Sequence, residues 1–333
     1  MIALKSKKLI KVISVLMELF VKILNEHYKK SAINIIKMEG GWSAQAYKVN
    51  TADGIFFLKV YEKHRLSTGI WTAKIDTYMP IVLWLYNNTN LRGKISYPIL
   101  TVDGQYKCND ERFIFLLFPY IEGYTLCDKL MTREQVRELA EIVAELHKYG
   151  DEIPVKADTI EEDFKIPFCD ELKRLLSLPN QPSFKETIDV LKQHEMILIE
   201  NIEKTQKLAD KISKENLPKV LCHTDIHGWN LMQSDKLILI DWEGMRLAPS
   251  EADLFAFIGD KFWHRCSKEF MEIYKKIHPN YEINTDALTF YQTRRRLEDI
   301  CAFAQGLLFE DIDDEERKKS LYLLRRECVD LLR

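Results

Sequence analysis

The sequence predicts an α+β protein in two parts, a mainly antiparallel sheet region followed by a larger helical region. Three observations carry that reading. Short β-branched and aromatic runs broken by Gly and Asp turns fill the early part of the chain. Long stretches with apolar residues at helical spacing fill most of the remainder. The texture changes near Glu122-Gly123, which sets the expected boundary between residues 1–121 and residues 122–333.

The elements follow in order. Lys5 to Leu24 carries basic residues ahead of an apolar stretch, as a signal peptide does. However, Lys11, Glu18 and Lys22 interrupt it, and no small-residue cleavage site follows. Ile10, Ile13, Leu16, Phe20 and Ile23 recur at helical spacing and predict an amphipathic first helix. Strands are expected over Ile33 to Lys37, Ala46 to Asn50 and Ile55 to Tyr61, joined by Glu39-Gly40-Gly41-Trp42-Ser43 and Thr51-Ala52-Asp53-Gly54. The Asp-Gly pair in the second connection suits a hairpin. Ile75 to Tyr86 reads as a helix kinked by, or starting at, Pro80. Tyr97 to Val102 and Arg112 to Pro119 read as strands around the Asp103-Gly104 turn.

Beyond the boundary, Thr132 is a predicted N-cap with Gln135 three residues on, a capping box opening a helix to about Lys148. Phe184 to Glu215 and Asp286 to Phe309 are long helical patterns. Strands are expected at Val220 to His223 and in a hairpin from Leu231 to Asp241.

At 333 residues the length suits two lobes. With 46% hydrophobic and 30% charged residues and a net charge of -3, the composition is that of an ordinary globular chain. No basic excess points to nucleic acid, and no apolar run is long enough to span a membrane. The seven cysteines are scattered without a CxxC pair, which fits a reduced, cytoplasmic setting.

The chemistry concentrates in Leu221-Cys222-His223-Thr224-Asp225-Ile226-His227-Gly228-Trp229-Asn230-Leu231-Met232 and Leu237-Ile238-Leu239-Ile240-Asp241-Trp242-Glu243. An apolar strand feeds a polar loop holding Asp225 and Asn230, and a second strand ends on Asp241. With Asp235-Lys236 as a two-residue turn, Asn230 falls opposite Asp241, at a Cβ separation of about 4.5–5.5 Å. Both side chains offer oxygen to one cation, and Mg²⁺ takes few such ligands from protein. Asp225 is then placed to accept the proton of a substrate hydroxyl or to orient it. His223 and His227 beside Cys222 are poor zinc ligands, because strand neighbours face opposite ways and no further Cys/His pair is near. His223 reads instead as a structural histidine bonding the loop backbone.

His-x-Asp-x-His-x-x-Asn followed by Ile-Asp-Trp-Glu resembles the catalytic and metal-binding motifs of the aminoglycoside phosphotransferase and choline kinase superfamily, relatives of protein kinases. The resemblance covers roughly residues 33 to 310. It implies a two-lobed protein-kinase-like fold, with a nucleotide-binding lobe to residue 121 and the catalytic loop and acceptor site in the lobe from residue 122. It implies Asp225 as catalytic base, Asn230 and Asp241 as metal ligands, and Asp253 as a buried brace of the loop. Mg²⁺ and ATP or GTP are the implied cofactors. Leu-Cys-His-x-Asp-Ile-His-x-x-Asn, Leu-Ala-Pro and Arg296-Leu297-Glu298-Asp299-Ile300 look most like the spectinomycin phosphotransferases, which implies an aminoglycoside or aminocyclitol antibiotic as acceptor. Choline and homoserine kinases share the core motif, so a metabolite acceptor stays open. A catalytically silent kinase-fold protein is the competing class, which the joint presence of Lys59, Asp225, Asn230 and Asp241 argues against.

A kinase reading also makes demands on the first part of the chain. Gly40-Gly41-Trp42-Ser43 sits where backbone N–H groups and the Ser43 hydroxyl can face phosphate. Lys59, inside an apolar strand, needs an anionic partner and matches the kinase Leu-Lys-Val pattern. Asp76 on the following helix is the expected acid, with Glu62 as the alternative. Phe118, Tyr120 and Ile121 occupy the place of the adenine-binding hinge. For a cationic acceptor the candidates are Asp260, Trp263 and Asp299, with Glu298 and the run Glu310 to Glu316 beside them.

Overall fold

The computed structural model describes all residues except 1, 39–43, 66–67, 151, 180, 259–263 and 332–333. In chain order it runs α1 (Ile2–Tyr28), β1 (Ala32–Lys37), β2 (Gln45–Thr51), β3 (Gly54–Glu62), α2 (Thr68–Thr72), α3 (Ile75–Asn88), β4 (Cys108–Asn109), β5 (Phe113–Pro119) and β6 (Tyr124–Thr125). There follow α4 (Arg133–Leu146), α5 (Pro167–Leu176), α6 (Lys185–Gln193), α7 (Glu195–Ile212) and β7 (Val220–Cys222). The remainder is β8 (Leu231–Gln233), β9 (Leu237–Leu239), β10 (Arg246–Ala248), α8 (Glu251–Leu254), α9 (His264–Ile277), α10 (Thr285–Phe309) and α11 (Asp314–Asp330). The protein is thus mixed, with an antiparallel sheet in its N-terminal region and helices dominating its C-terminal region. No described helix is long and apolar enough to cross a membrane.

The chain separates into two compact units. The first comprises residues 1–129, 151–160 and 227–245; the second comprises 130–150, 161–226 and 246–333. Compactness therefore interleaves the chain and does not cut once near residue 121. The hairpin β8–β9 belongs with the first unit because β6 pairs antiparallel with β8, and Leu239 exchanges backbone hydrogen bonds with Lys94 and Ser96.

In the first unit the sheet order is β1-β2-β3-β5-β4, with every pairing antiparallel. One face packs on α1 through Phe20, Ile23, Leu24 and Tyr28 against Tyr47, Val49, Leu58 and Phe115. Alternation along β3 sends Leu58 and Val60 into that core, so Lys59 points from the opposite face. The expected strand over 97–102 is absent. Pro98 has no N–H to donate, and only Ile99 bridges to Leu117.

In the second unit Thr132 and Gln135 form the capping box in full. The long pattern from Phe184 breaks at His194, whose Nδ1 lies 2.9 Å from the Val190 carbonyl, and becomes α6 and α7. Asp313 caps α11 by accepting the Glu315 and Glu316 N–H groups, so the acidic run is a helix start. A core of Leu172, Leu191, Leu198, Ile202, Leu297 and Leu324 joins α5, α6, α7, α10 and α11.

Candidate active site

In the first unit Lys59 sits mid-strand between Ala46 of β2 and Leu116 of β5. Its ammonium lies 2.8 Å from Asp241 Oδ1 and 2.6 Å from Glu243 Oε1, and the Tyr61 hydroxyl also donates to Glu243. Burial works against the Lys59 charge, but the Asp241 and Glu243 carboxylates outweigh it and hold the pKa above its ordinary value. Asp76, the expected partner, does not make this pair: it is exposed and bonds Lys107. Glu62 bonds Gln45 and His64. From α3 the residue that feels Lys59 and Asp241 is buried Tyr78, whose hydroxyl has no hydrogen-bond partner among the described residues.

The hairpin register differs from expectation by one residue. Leu231 pairs with Leu239 and Gln233 with Leu237, and the Ile240 N–H donates to the Asn230 carbonyl at 3.0 Å. The turn holds three residues, Ser234 to Lys236, closed by Ser234 N–H to the Lys236 carbonyl. Asn230 therefore faces Ile240, not Asp241. On a regular strand that slip would send Asp241 to the other face. At Asp241 the strand ends: φ is +69°, a left-handed conformation that Asp adopts more readily than most residues, and its carboxylate meets Lys59. Asn230 is buried, and it and Asp241 flank the base of the hairpin at the ends away from its turn.

Two glycines let the hairpin approach the strand before it. A Cβ on Gly228 would lie 1.8 Å from the Cys127 carbonyl oxygen, and one on Gly123, at φ +156°, would lie 2.1 Å from that of Gln233. No side chain fits either place.

Asp225 belongs to the second unit. Its N–H donates to His223 Nδ1 at 3.2 Å, and its carboxylate accepts from Arg295 Nη1. The preceding residue, Thr224, is β-branched yet sits at φ +68°. Asp253, fully buried, holds that strained backbone by accepting the N–H groups of Thr224 at 2.6 Å and His223 at 2.9 Å. His147, just past the end of α4, is bonded to Asp253 at 3.0 Å and to the Tyr274 hydroxyl at 2.8 Å and so fixes the brace. His147, Cys222 and Asp253 are the described group of three metal-competent side chains, and the Cys222 thiol, pushed up by burial, donates to the Ala248 and Pro249 carbonyls. The Nδ1 of His227 accepts from Trp229 N–H, a local loop bond.

The hinge candidates lie at the end of β5. Phe118 pairs with Phe57, and Tyr120 donates its N–H to the Ile55 carbonyl at 3.1 Å while Lys48 covers its ring at 4.1 Å. Pro119 has no N–H, so Ile121 is the first residue past the strand with a backbone donor unclaimed among the described residues. Ser43, Asp260 and Trp263 lie outside the described residues. Asp299, on α10, accepts from Arg295 Nε at 3.0 Å. Burial pushes its carboxyl up to about 6, with Arg295 pulling the other way.

Sequence reasoning missed Arg295, Glu243 and Tyr78. The signal for Arg295 was present: Arg294, Arg295 and Arg296 follow one another on one helix, where successive side chains leave about 100° apart. Arg294 bonds buried Glu162, Arg295 bonds Asp225 and Asp299, and Arg296 bonds Glu327.

Comparison with known sequences matches residues 34–291 to the phosphotransferase enzyme family. No curated protein sequence matches the chain. Among solved structures, a spectinomycin phosphotransferase bound to ADP and spectinomycin superposes with a TM-score of 0.73 at 18% identity, covering 94% of this chain and 96% of that one. An aminopropanol kinase associated with a microcompartment gives 0.68 at 12% identity, over 95% and 97% of the two chains. An amicoumacin kinase bound to AMP-PNP and Ca²⁺ gives 0.63 at 13% identity, over 94% and 93%. The fold is shared with all three.

Proposed function

This chain belongs to the phosphotransferase enzyme family, and from that premise we propose that it moves the terminal phosphate of a Mg-bound nucleoside triphosphate to a hydroxyl of a small molecule. The observation that carries the reading is Lys59, a buried ammonium held 2.8 Å from Asp241 and 2.6 Å from Glu243 at the end of the Asn230 hairpin. A charge in that setting is costly unless it serves a charged ligand or partner.

Lys59 contacts the α- and β-phosphates, with Ser43 and its neighbouring backbone beside them. Asn230 and Asp241, both hard oxygen donors, would hold Mg²⁺, which when bound neutralises phosphate charge. The adenine or guanine edge meets the backbone at Phe118, Tyr120 and Ile121, through the Ile121 N–H. Asp225 accepts the acceptor hydroxyl's proton as that oxygen bonds to the terminal phosphorus and the bond to the bridging oxygen breaks. His223 and Asp253 hold Asp225's loop.

For the acceptor we propose an aminoglycoside or aminocyclitol such as spectinomycin, supported by the likeness of fold to a spectinomycin kinase and by the Leu221 to Asp241 motif. Asp260, Trp263 and Asp299 are its proposed contacts. The similar likeness to an aminopropanol kinase favours including amino alcohols in any panel. A cytoplasmic location goes with use of ATP or GTP.

The test is incubation with Mg-ATP or Mg-GTP and a panel of spectinomycin, aminoglycosides, choline, aminopropanol and homoserine, with phosphorylated product read by mass spectrometry. Transfer to one member is the expected outcome. No transfer, together with no thermal shift on adding either nucleotide, would favour a silent kinase-fold protein instead.

A further inference from the structure

We propose that Arg295 is a positioning residue for the Asp225 carboxylate, clamped in its turn by Asp299. The inference rests on the reading of Asp225 as the acceptor-side base. Its observation is separate, however: one guanidinium bridges two carboxylates, through Nη1 to Asp225 and Nε to Asp299.

The geometry follows from the helix. Arg295 and Asp299 are four residues apart on α10, so they share a face and their bond is built by the helix itself. The helix is anchored by its packing on α7 and α11. Asp225 is thereby held at both ends. Its N–H is fixed through His223 Nδ1, whose own backbone is tied to Asp253, and its carboxylate is fixed from α10. A planar guanidinium makes two directed bonds to two acids at once, which a lysine ammonium on a flexible stem does not reproduce.

An ordinary surface ion pair is the plain alternative, since the Arg295 side chain is 36% exposed and such pairs contribute little. What separates the two readings is the partner. Phosphoryl transfer through a loose transition state asks for an ionised, aimed carboxylate more than for a strong base. A neighbouring cation supplies both, because it favours the charged form. The charged groups around this pair are Glu298 and Asp299 on α10, with Glu327 of α11 acting on Asp299 and His223 in the loop.

The decisive measurement is a ¹³C-carboxyl titration of the full chain, with the Asp225 signal assigned by its loss in Asp225→Asn. Arg295→Gln is expected to raise the Asp225 pKa by about 1 or more. Hydrolysis of Mg-ATP, with water as acceptor, is expected to lose at least about tenfold in kcat with KM for Mg-ATP unchanged, and its acid limb should move to higher pH. Arg295→Lys should restore the pKa but not the rate. An unchanged Asp225 pKa in folded Arg295→Gln, or a faster rate, overturns the proposal. Should Arg295→Gln fail to fold, Arg295→Lys decides alone: wild-type kcat overturns the proposal and reduced kcat at wild-type pKa supports it. Full activity in Asp225→Asn would instead sink the base assignment, while the titration would still report whether Arg295 holds that carboxylate.

Discussion

Among its candidate functional residues each compact unit sets a cation against two carboxylates, and the two clusters are built differently. In the first, Lys59 leaves the middle of a strand and meets Asp241 and Glu243, two acids from one short segment. In the second, Arg295 leaves a helix and meets Asp225 from a loop and Asp299 from its own helix. The Lys59 cluster is the more buried, its lysine side chain 14% exposed against 36% for Arg295. A compact ammonium suits a site where it trades one anion for another, as when phosphate arrives. A guanidinium suits a site where two anions are to be kept at fixed angles. The difference teaches that similar charge counts can serve exchange in one place and rigidity in the other.

The sharpest way to break that contrast is to neutralise one acid in each cluster. Asp225→Asn is expected to cut phosphate transfer by about 100- to 10,000-fold, with Mg-nucleotide affinity within about twofold of wild type. Asp241→Asn is expected to weaken Mg-nucleotide binding itself by tenfold or more, on the order of 1.4 kcal/mol. Titration calorimetry with a non-hydrolysable nucleotide separates the two. If the effects are exchanged, the division into a nucleotide cluster and an acceptor cluster is wrong.

Removing the cations comes next. Lys59→Met leaves Glu243, 8% exposed, and Asp241, 34% exposed, facing one another without their counter-charge. Breaking such a pair from one side costs about 2–4 kcal/mol, discounted here for the exposure of Asp241. Arg295→Met should cost under about 1 kcal/mol, because its bonds are partly in water. Urea denaturation with unchanged m-values measures both. Equal losses would erase the distinction in burial.

How legible these clusters were follows from the kind of signal each residue leaves. Asp225, Asn230 and Asp241 stand in one short motif, and Lys59 is a lone charge in an apolar strand, so the sequence singled out all four as candidates. Their partners depend on tertiary approach. Asp76 looked right for Lys59 by chain order, but Lys107 claims it, and the acids that do meet Lys59 are Asp241 itself and Glu243, two residues further on in the motif already in view. The hairpin register failed for a local reason: Ser234-Asp235-Lys236 turns with three residues where two were assumed, and a unit change in loop length shifts every opposed pair. The first three strands and the helices over 75–86, 132–148 and 286–309 were read well because periodicity reports burial. Pro98, which lacks an N–H to donate, and His194, which bonds the Val190 carbonyl, break expected elements through single hydrogen bonds, missing or made, that periodicity does not weigh.

The close approach of the hairpin gives a smaller test. Gly228→Ala places a methyl group against the Cys127 carbonyl and is expected to destabilise by about 1–3 kcal/mol and to lower nucleotide affinity with it. Gly306→Ala, on α10 with open space at its Cβ, is the control and should stabilise by up to about 1 kcal/mol. A Gly228→Ala protein as stable as wild type would mean that the hairpin can move away from β6, and that the Lys59 cluster is not fixed by it.

A further effect distinguishes the clusters by pH. Asp299 is pushed by burial from 3.8 to about 6 despite Arg295. A raised carboxyl binds its proton more tightly in the folded chain than in the unfolded one. Between about pH 4 and pH 6 the unfolded state has therefore released a proton that the folded state retains, and stability falls as pH rises through that window. Asp299→Asn carries no such proton. Its stability relative to wild type should climb from pH 4 to pH 6 by about 1–3 kcal/mol and stay level above. The same variant frees Arg295 Nε, so the rate should fall at pH 8, where the titration no longer acts. A flat stability difference from pH 4 to pH 6 would show that Arg295 already holds Asp299 ionised, and that the second cluster is as fully compensated as the first.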